Sequence, residues 1–128
     1  MVEQTHVRTI AVNYYDTNAG GANVALGGVV PTVLRTRRFI YYLKISHDSA
    51  APQLLNLWRD GAAGIVPLDD LYLAGFGGGG LAENGDSSFE MCLNIESPFY
   101  ILESGEQFGF RSPGGVNSYC LITCYDEP

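Results

Sequence analysis

Residues 37–45 read Arg-Arg-Phe-Ile-Tyr-Tyr-Leu-Lys-Ile (RRFIYYLKI). Read with period two, Phe39, Tyr41, Leu43 and Ile45 share one face while Arg38, Ile40, Tyr42 and Lys44 share the other. That period, in a run of aromatic and β-branched side chains, predicts a β-strand. Residues 88–96 (SFEMCLNIE) repeat the pattern with one apolar and one polar face, as expected of a strand with core on one side and water on the other. Residues 116–125 (VNSYCLITCY) are apolar or aromatic on both faces, which predicts a strand interior to a sheet.

Working outward, strand candidates lie at 7–14, 53–59, 65–73, 99–102 and 107–111, each bounded by turn residues. The turns are expected at Asp16 to Gly21, Ser46 to Pro52, Asp60-Gly61, Asn84-Gly85, Ser97-Pro98, Ser104-Gly105 and Pro113-Gly114-Gly115, where Gly, Pro, Asn and Asp supply turn dihedrals. Residues 51–60 (APQLLNLWRD) are a weak helix candidate, and Trp58 in this setting favours a strand. An α/β fold needs helices of ~10–15 residues between its strands, and none is visible. The expectation is an all-β chain: a two-sheet antiparallel β-sandwich of the jelly-roll type with about eight strands. Residues 1–128 are expected to form one domain, with 1–34 in part an extended arm.

Composition agrees with that class. Hydrophobic residues make up 46% of the chain and charged residues 16%, below the usual ~25% charged, so there is ample side chain to bury. The longest uncharged stretch, 17–34, is broken by Gly20, Gly21, Gly27, Gly28 and Pro31, so no membrane helix is expected. Residues 1–8 (MVEQTHVR) lack the basic and apolar regions of a leader. Cys120 and Cys124 sit four apart in one strand, roughly 13 Å, beyond the ~7 Å limit for a disulfide. Cys92 remains as a cross-sheet partner for either, and three buried thiols from a reducing cytoplasm are the expectation. Residues 1–59 carry six cations against three carboxylates, whereas 60–128 carry Arg111 against eleven carboxylates. A chain of net charge −7 is poorly suited to nucleic acid, whose affinity rests on phosphate neutralisation.

Specific chemistry is sparse. Residues 75–80 (GFGGGG) formally satisfy G-x-G-x-x-G, but LAENGDSS follows where a nucleotide site needs a long helix. A surface loop over 74–86 is expected instead, with Phe76 and Gly78 in a segment that orders on docking. His6 and His47 are far apart in sequence, without the clustered His and Glu of a metal centre. His47-Asp48 are neighbours that a strand points to opposite faces, against a general-base pair. Asp69-Asp70 and Glu103 with Glu106 are carboxylate pairs of the type used in glycoside hydrolysis; they read more simply as solvated charges that discourage edge-to-edge pairing. No catalytic residue, metal or cofactor is expected. Arg35, Arg37 and Arg38 (RTRR) are the sharpest polar feature: a fork at a sheet rim, suited to carboxylates of a neighbouring copy or an acidic partner.

Residues 97–110 (SPFYILESGEQFGF), followed by Pro113-Gly114-Gly115-Val116-Asn117-Ser118-Tyr119 and the acidic Asp126-Glu127, resemble the ending of small β-sandwich virion proteins of tailed bacteriophages, the head-decoration or cement proteins. The resemblance covers roughly 86–127, and residues 1–34 match no named pattern. It implies a jelly roll, often trimeric, that clamps neighbouring capsid subunits and has no catalytic residues to carry over. The expected function is therefore a structural virion protein on the capsid exterior, made in the host cytoplasm. Its expected partners are the major capsid protein and its own copies as a trimer, with no nucleic acid and no membrane. The expected partner-binding residues are Arg35, Arg37, Arg38, Trp58, Phe76 and Gly78. The alternative is a sandwich module of tail or adhesin type that recognises carbohydrate or a receptor through Trp58 and the tyrosines.

Overall fold

The computed structural model describes residues 11–75, 88–92 and 98–128. Among them the chain forms nine strands: β1 (Val12–Asn18), β2 (Val24–Leu26), β3 (Arg37–His47), β4 (Gln53–Gly61), β5 (Gly64–Leu73), β6 (Ser88–Cys92), β7 (Tyr100–Leu102), β8 (Gln107–Arg111) and β9 (Ser118–Glu127). One sheet runs β1-β9-β3, with β6 and β7 both along the far side of β3; the other runs β2-β8-β4-β5. Every pairing is antiparallel, and the pairs nest: β4 with β5, β3 with β6 and β7, β2 with β8, β1 with β9. The chain is thus one long hairpin rolled into two facing sheets, which is the jelly roll expected from the sequence.

The core lies between the sheets. Leu43, Ile45, Cys120 and Ile122 from one meet Leu55, Leu57, Phe108 and Phe110 from the other, all fully buried. In β8, Gln-Phe-Gly-Phe-Arg sends Phe108 and Phe110 inward and turns Gly109 outward. At the open edge of the sandwich the Tyr100 hydroxyl of β7 donates to the Asp69 carboxylate of β5, tying the two sheets together. Burial, then that hydrogen bond and the Asp69 charge, push the Tyr100 hydroxyl well above its ordinary pKa.

Three local expectations need correction. In β3 the register jumps from Ile40 opposite Cys124 to Tyr42 opposite Thr123, leaving Tyr41 as an extra residue. This bulge reverses the phase of the strand. Arg38 and Ile40 therefore share the buried side with Leu43, Ile45 and His47, while Phe39 faces away and stacks on Tyr125 at 5.1 Å and 15°. The turn expected at Asp16 begins two residues later, because β1 stays paired with β9 through Asn18 opposite Ser118. There the Asn18 amide donates to the carbonyls of Ala22 and Phe110, and its oxygen accepts from the Gly20 N–H at 2.7 Å. Gly20 has φ +96°, and a Cβ would lie 2.2 Å from the Pro113 carbonyl oxygen, so only glycine fits. Lastly, residues 24–26 form β2 within a segment where no strand was expected. Beyond β2, Val30 is fully buried and exchanges backbone hydrogen bonds with Gly105 and Glu106.

Candidate functional site

The arginine cluster divides. Arg35 ends the 3-10 turn Val33–Arg35 with φ 53° and is exposed. Arg37 is exposed on the outer side of β3, its guanidinium 5.2 Å from the Phe39 ring centre. Arg38 is 4% exposed and committed internally. Its Nε and Nη2 donate to the two carboxylate oxygens of Asp126 at 2.7 and 3.0 Å, and its Nη1 donates to the Gly28 carbonyl at 2.7 Å. The same guanidinium stands 5.4 Å from the Tyr14 ring centre. Burial alone would lower its pKa; the hydrogen bond and charge of Asp126 outweigh this and raise it. The fork at the rim is therefore Arg35 and Arg37, with Arg38 fastening β3, β9 and the chain after β2. Phe76 and Gly78 lie outside the described residues, as does His6.

The other titratable candidates are structural in their contacts. His47 is buried, its Nδ1 accepting from the Ser49 N–H at 3.1 Å and its Nε2 facing the Leu73 carbonyl at 3.4 Å. Asp48 accepts from the backbone and side-chain nitrogens of Asn117 at 3.1 and 2.9 Å. The two neighbours serve different parts of the fold and form no base pair. Glu106 caps its own turn at the Glu103 N–H and faces Arg59 Nε at 3.7 Å. Among the described residues no three His, Cys, Asp or Glu side chains gather closely enough to hold a metal, and no helix is long and apolar enough to cross a membrane.

What the fold does assemble is an aromatic face. On the outer side of the five-stranded sheet, register places Tyr15 beside Leu121 and Leu121 beside Lys44, with Tyr119 next to Ser46. These five residues line a shallow cleft of about 330 Å³. Tyr42 follows, its hydroxyl donating to Glu90 at 2.5 Å. Phe39, Tyr125 and Tyr41 continue the row toward Arg37, the two tyrosine rings 6.1 Å apart. Tyr15 is 61% exposed. The tyrosine count hinted at such a surface, but only the register and the bulge decide which tyrosines share it.

The outer side of the four-stranded sheet is different. Trp58 is 5% exposed because its six-membered ring lies across Gly109, where a Cβ would come within 2.0 Å of the indole. Its N–H is buried with no hydrogen-bond partner among the described residues. Beside it Asn56 donates to Asp70 at 2.7 Å, and Arg111 has one long contact with the Gly21 carbonyl at 3.4 Å.

No protein-family model matches the chain, and no curated protein sequence matches it. Among solved structures, a chain of the acidic stable capsid structure of Helicobacter pylori bacteriophage KHP30 is similar, with TM-score 0.54 and 5% sequence identity over 94% of this chain and 91% of that one. The crystal structure of PirA gives TM-score 0.47 and 11% identity over 89% of this chain and 92% of that one. At 5% identity the likeness to the bacteriophage chain is one of fold.

Proposed function

We propose that this is a structural, non-catalytic virion protein that decorates the exterior of a bacteriophage capsid. It binds the major capsid protein between neighbouring subunits and does so as a homo-oligomer, in the first instance a trimer. The observation that carries this reading is the outer face of the five-stranded sheet, where Tyr15, Tyr41, Tyr42 and Tyr119 share one side with Arg37 and Lys44, and where Phe39 and Tyr125 are buried beside Tyr41 and Arg37. A sheet face meant for water alternates to polar residues, whereas Tyr, Phe and Arg are the types concentrated in protein contacts. Tyrosine adds contact area at low entropy cost and leaves its hydroxyl for the wet rim. Arg35 and Arg37 at the edge suit carboxylates of the capsid or of another copy. The fold shared with a chain of a bacteriophage capsid structure supports the same reading.

Co-sedimentation with capsid shells that lack the protein tests it. The wild-type chain is expected to pellet with the shells, and light scattering to give a trimer mass. Tyr15→Ala with Tyr119→Ala should weaken shell binding by about tenfold or more, about 1.4 kcal/mol, while the circular dichroism spectrum is retained. A monomer that stays in the supernatant with every shell tested overturns the proposal.

A further inference from the structure

The four-stranded sheet carries a second surface that the capsid reading does not use. A cleft of about 340 Å³ opens on its outer side, over Asn56 and Trp58 of β4. Asp70 lies on the β5 side, Asn23 and Arg111 on the opposite side, and Ile65 and Pro67 supply apolar wall. The volume is at the lower end of the roughly 300–1,000 Å³ typical of small-molecule sites. Among the described residues its polar groups have few partners. Asp70 accepts one internal hydrogen bond, from the Asn56 amide, and Arg111 makes one long one. Trp58 itself is 5% exposed, and its buried N–H has no partner among the described residues.

The mixture of groups selects the ligand. An anion is attracted by Arg111 and repelled by Asp70; a cation meets the reverse. A neutral group that both donates and accepts, repeated around an apolar ring, satisfies Asp70, the Asn23 and Asn56 amides and Arg111 together, while its C–H surface rests on Ile65 and Pro67. We propose that this cleft binds a neutral saccharide unit, a pyranose held by hydroxyl hydrogen bonds. Trp58 lines the cleft without offering a stacking face, because its ring lies across Gly109. This inference stands apart from the capsid contact, which uses the opposite sheet.

Trp58 is the chain's one tryptophan, so its indole N–H gives a single, assignable ¹H–¹⁵N resonance. The ¹⁵N-labelled full chain is titrated with methyl glycosides of glucose, galactose, mannose and N-acetylglucosamine, and with glucuronic and sialic acids as anionic arms. At least one neutral glycoside is expected to shift the indole resonance saturably at millimolar concentration. Arg111→Ala and Asn56→Ala should each weaken that binding about tenfold; Trp58→Phe, which keeps a ring over Gly109 and is followed by the backbone amide resonances of β4 and β8 because it lacks the indole, should weaken it less. Lys44→Ala on the opposite sheet should leave it unchanged. Absence of any shift in the wild-type chain overturns the proposal, as does tighter binding of the acids or binding indifferent to Arg111 and Asn56. Loss of capsid-shell binding on Arg111→Ala, without any saccharide response, assigns the cleft to protein contact and also overturns it.

Discussion

Single residues decide several features that periodicity alone does not reveal. Arg38 and Asp126 form a bidentate pair with side chains 5% and 17% exposed, and breaking a buried pair leaves an uncompensated charge at a cost of about 3–5 kcal/mol. Asp126→Ala is expected to lower urea-unfolding stability by that amount, and Arg38→Met combined with Asp126→Leu to recover most of it. A double variant no better than the single one would show that the pair itself, and not the stranded charge, sets the stability. Gly109→Ala drives a methyl group into the Trp58 indole, so it should destabilise by about 1–3 kcal/mol, as overpacking does, with an altered Trp58 fluorescence spectrum. The buried thiols give a pH dependence of definite sign. Burial raises Cys120 to about 12; burial, countered in part by Arg38 and reinforced by Asp126, raises Cys124 to about 11. Unfolded thiols ionise near ~8.5, so above that pH the unfolded chain binds fewer protons than the folded one. Stability is thus untouched by these groups below about pH 8.5 and falls above it by up to about 1.4 kcal/mol per unit per thiol. Urea midpoints followed into the alkaline range should decline less steeply in Cys120→Ala/Cys124→Ala than in the wild-type chain. The Arg-Arg pair at 37–38 was legible as a two-faced fork; that one arm is consumed internally was not, because Asp126 is distant in sequence and meets Arg38 only through the β3–β9 register.

At the scale of the strand, alternation is a reliable guide until a residue is inserted. It identified β3, β4, β5, β8 and β9 from their apolar pattern and bounding turns, and it failed within β3 at Tyr41, since a bulge has no signature where the successive residues Phe39 to Leu43 are all apolar or aromatic. A second irregularity, between Leu57 and Trp58, sets Trp58 opposite Pro67 and leaves Leu68 as the extra residue of β5. β2 escaped because three residues, Val24–Leu26, are too short to display a period. β9 lies between β1 and β3, as its two apolar faces foretold, yet the faces are unequal. Ile122 is fully buried and Leu121 lines the outer cleft. Ile122→Ala should therefore cost about 2–5 kcal/mol and Leu121→Ala less than about 1.5 kcal/mol, both read from urea midpoints. Equal costs would mean that the outer face is packed like the core, and with it that no face is free for a partner.

Across the whole molecule, the fold class was readable because strand spacing and turn residues are local, while the functional faces were not, because they depend on which strands become neighbours. Tyr15 and Lys44 belong to one surface only after β9 is laid between β1 and β3; Asn23, Asp70 and Arg111 meet only through β8 and β4. The same dependence governs folding. Val12 sits opposite Cys124 and Arg37 opposite Glu127, so the five-stranded sheet is incomplete until the final strand docks. Because the loops that close these pairs span most of the chain, refolding should be slow, in the millisecond-to-second range of non-local β topologies. A chain ending at residue 115 loses the central strand of one sheet and with it Cys120, Ile122 and Cys124 from the core. It is expected to lack the dispersed amide spectrum of a fixed fold, and a peptide of residues 116–128 added in excess should restore that dispersion by supplying β9 from outside. A truncated chain with native dispersion on its own would mean that the four-stranded sheet and β3 suffice. In that case the slow phase of refolding would have to come from something other than closure of the outermost pair.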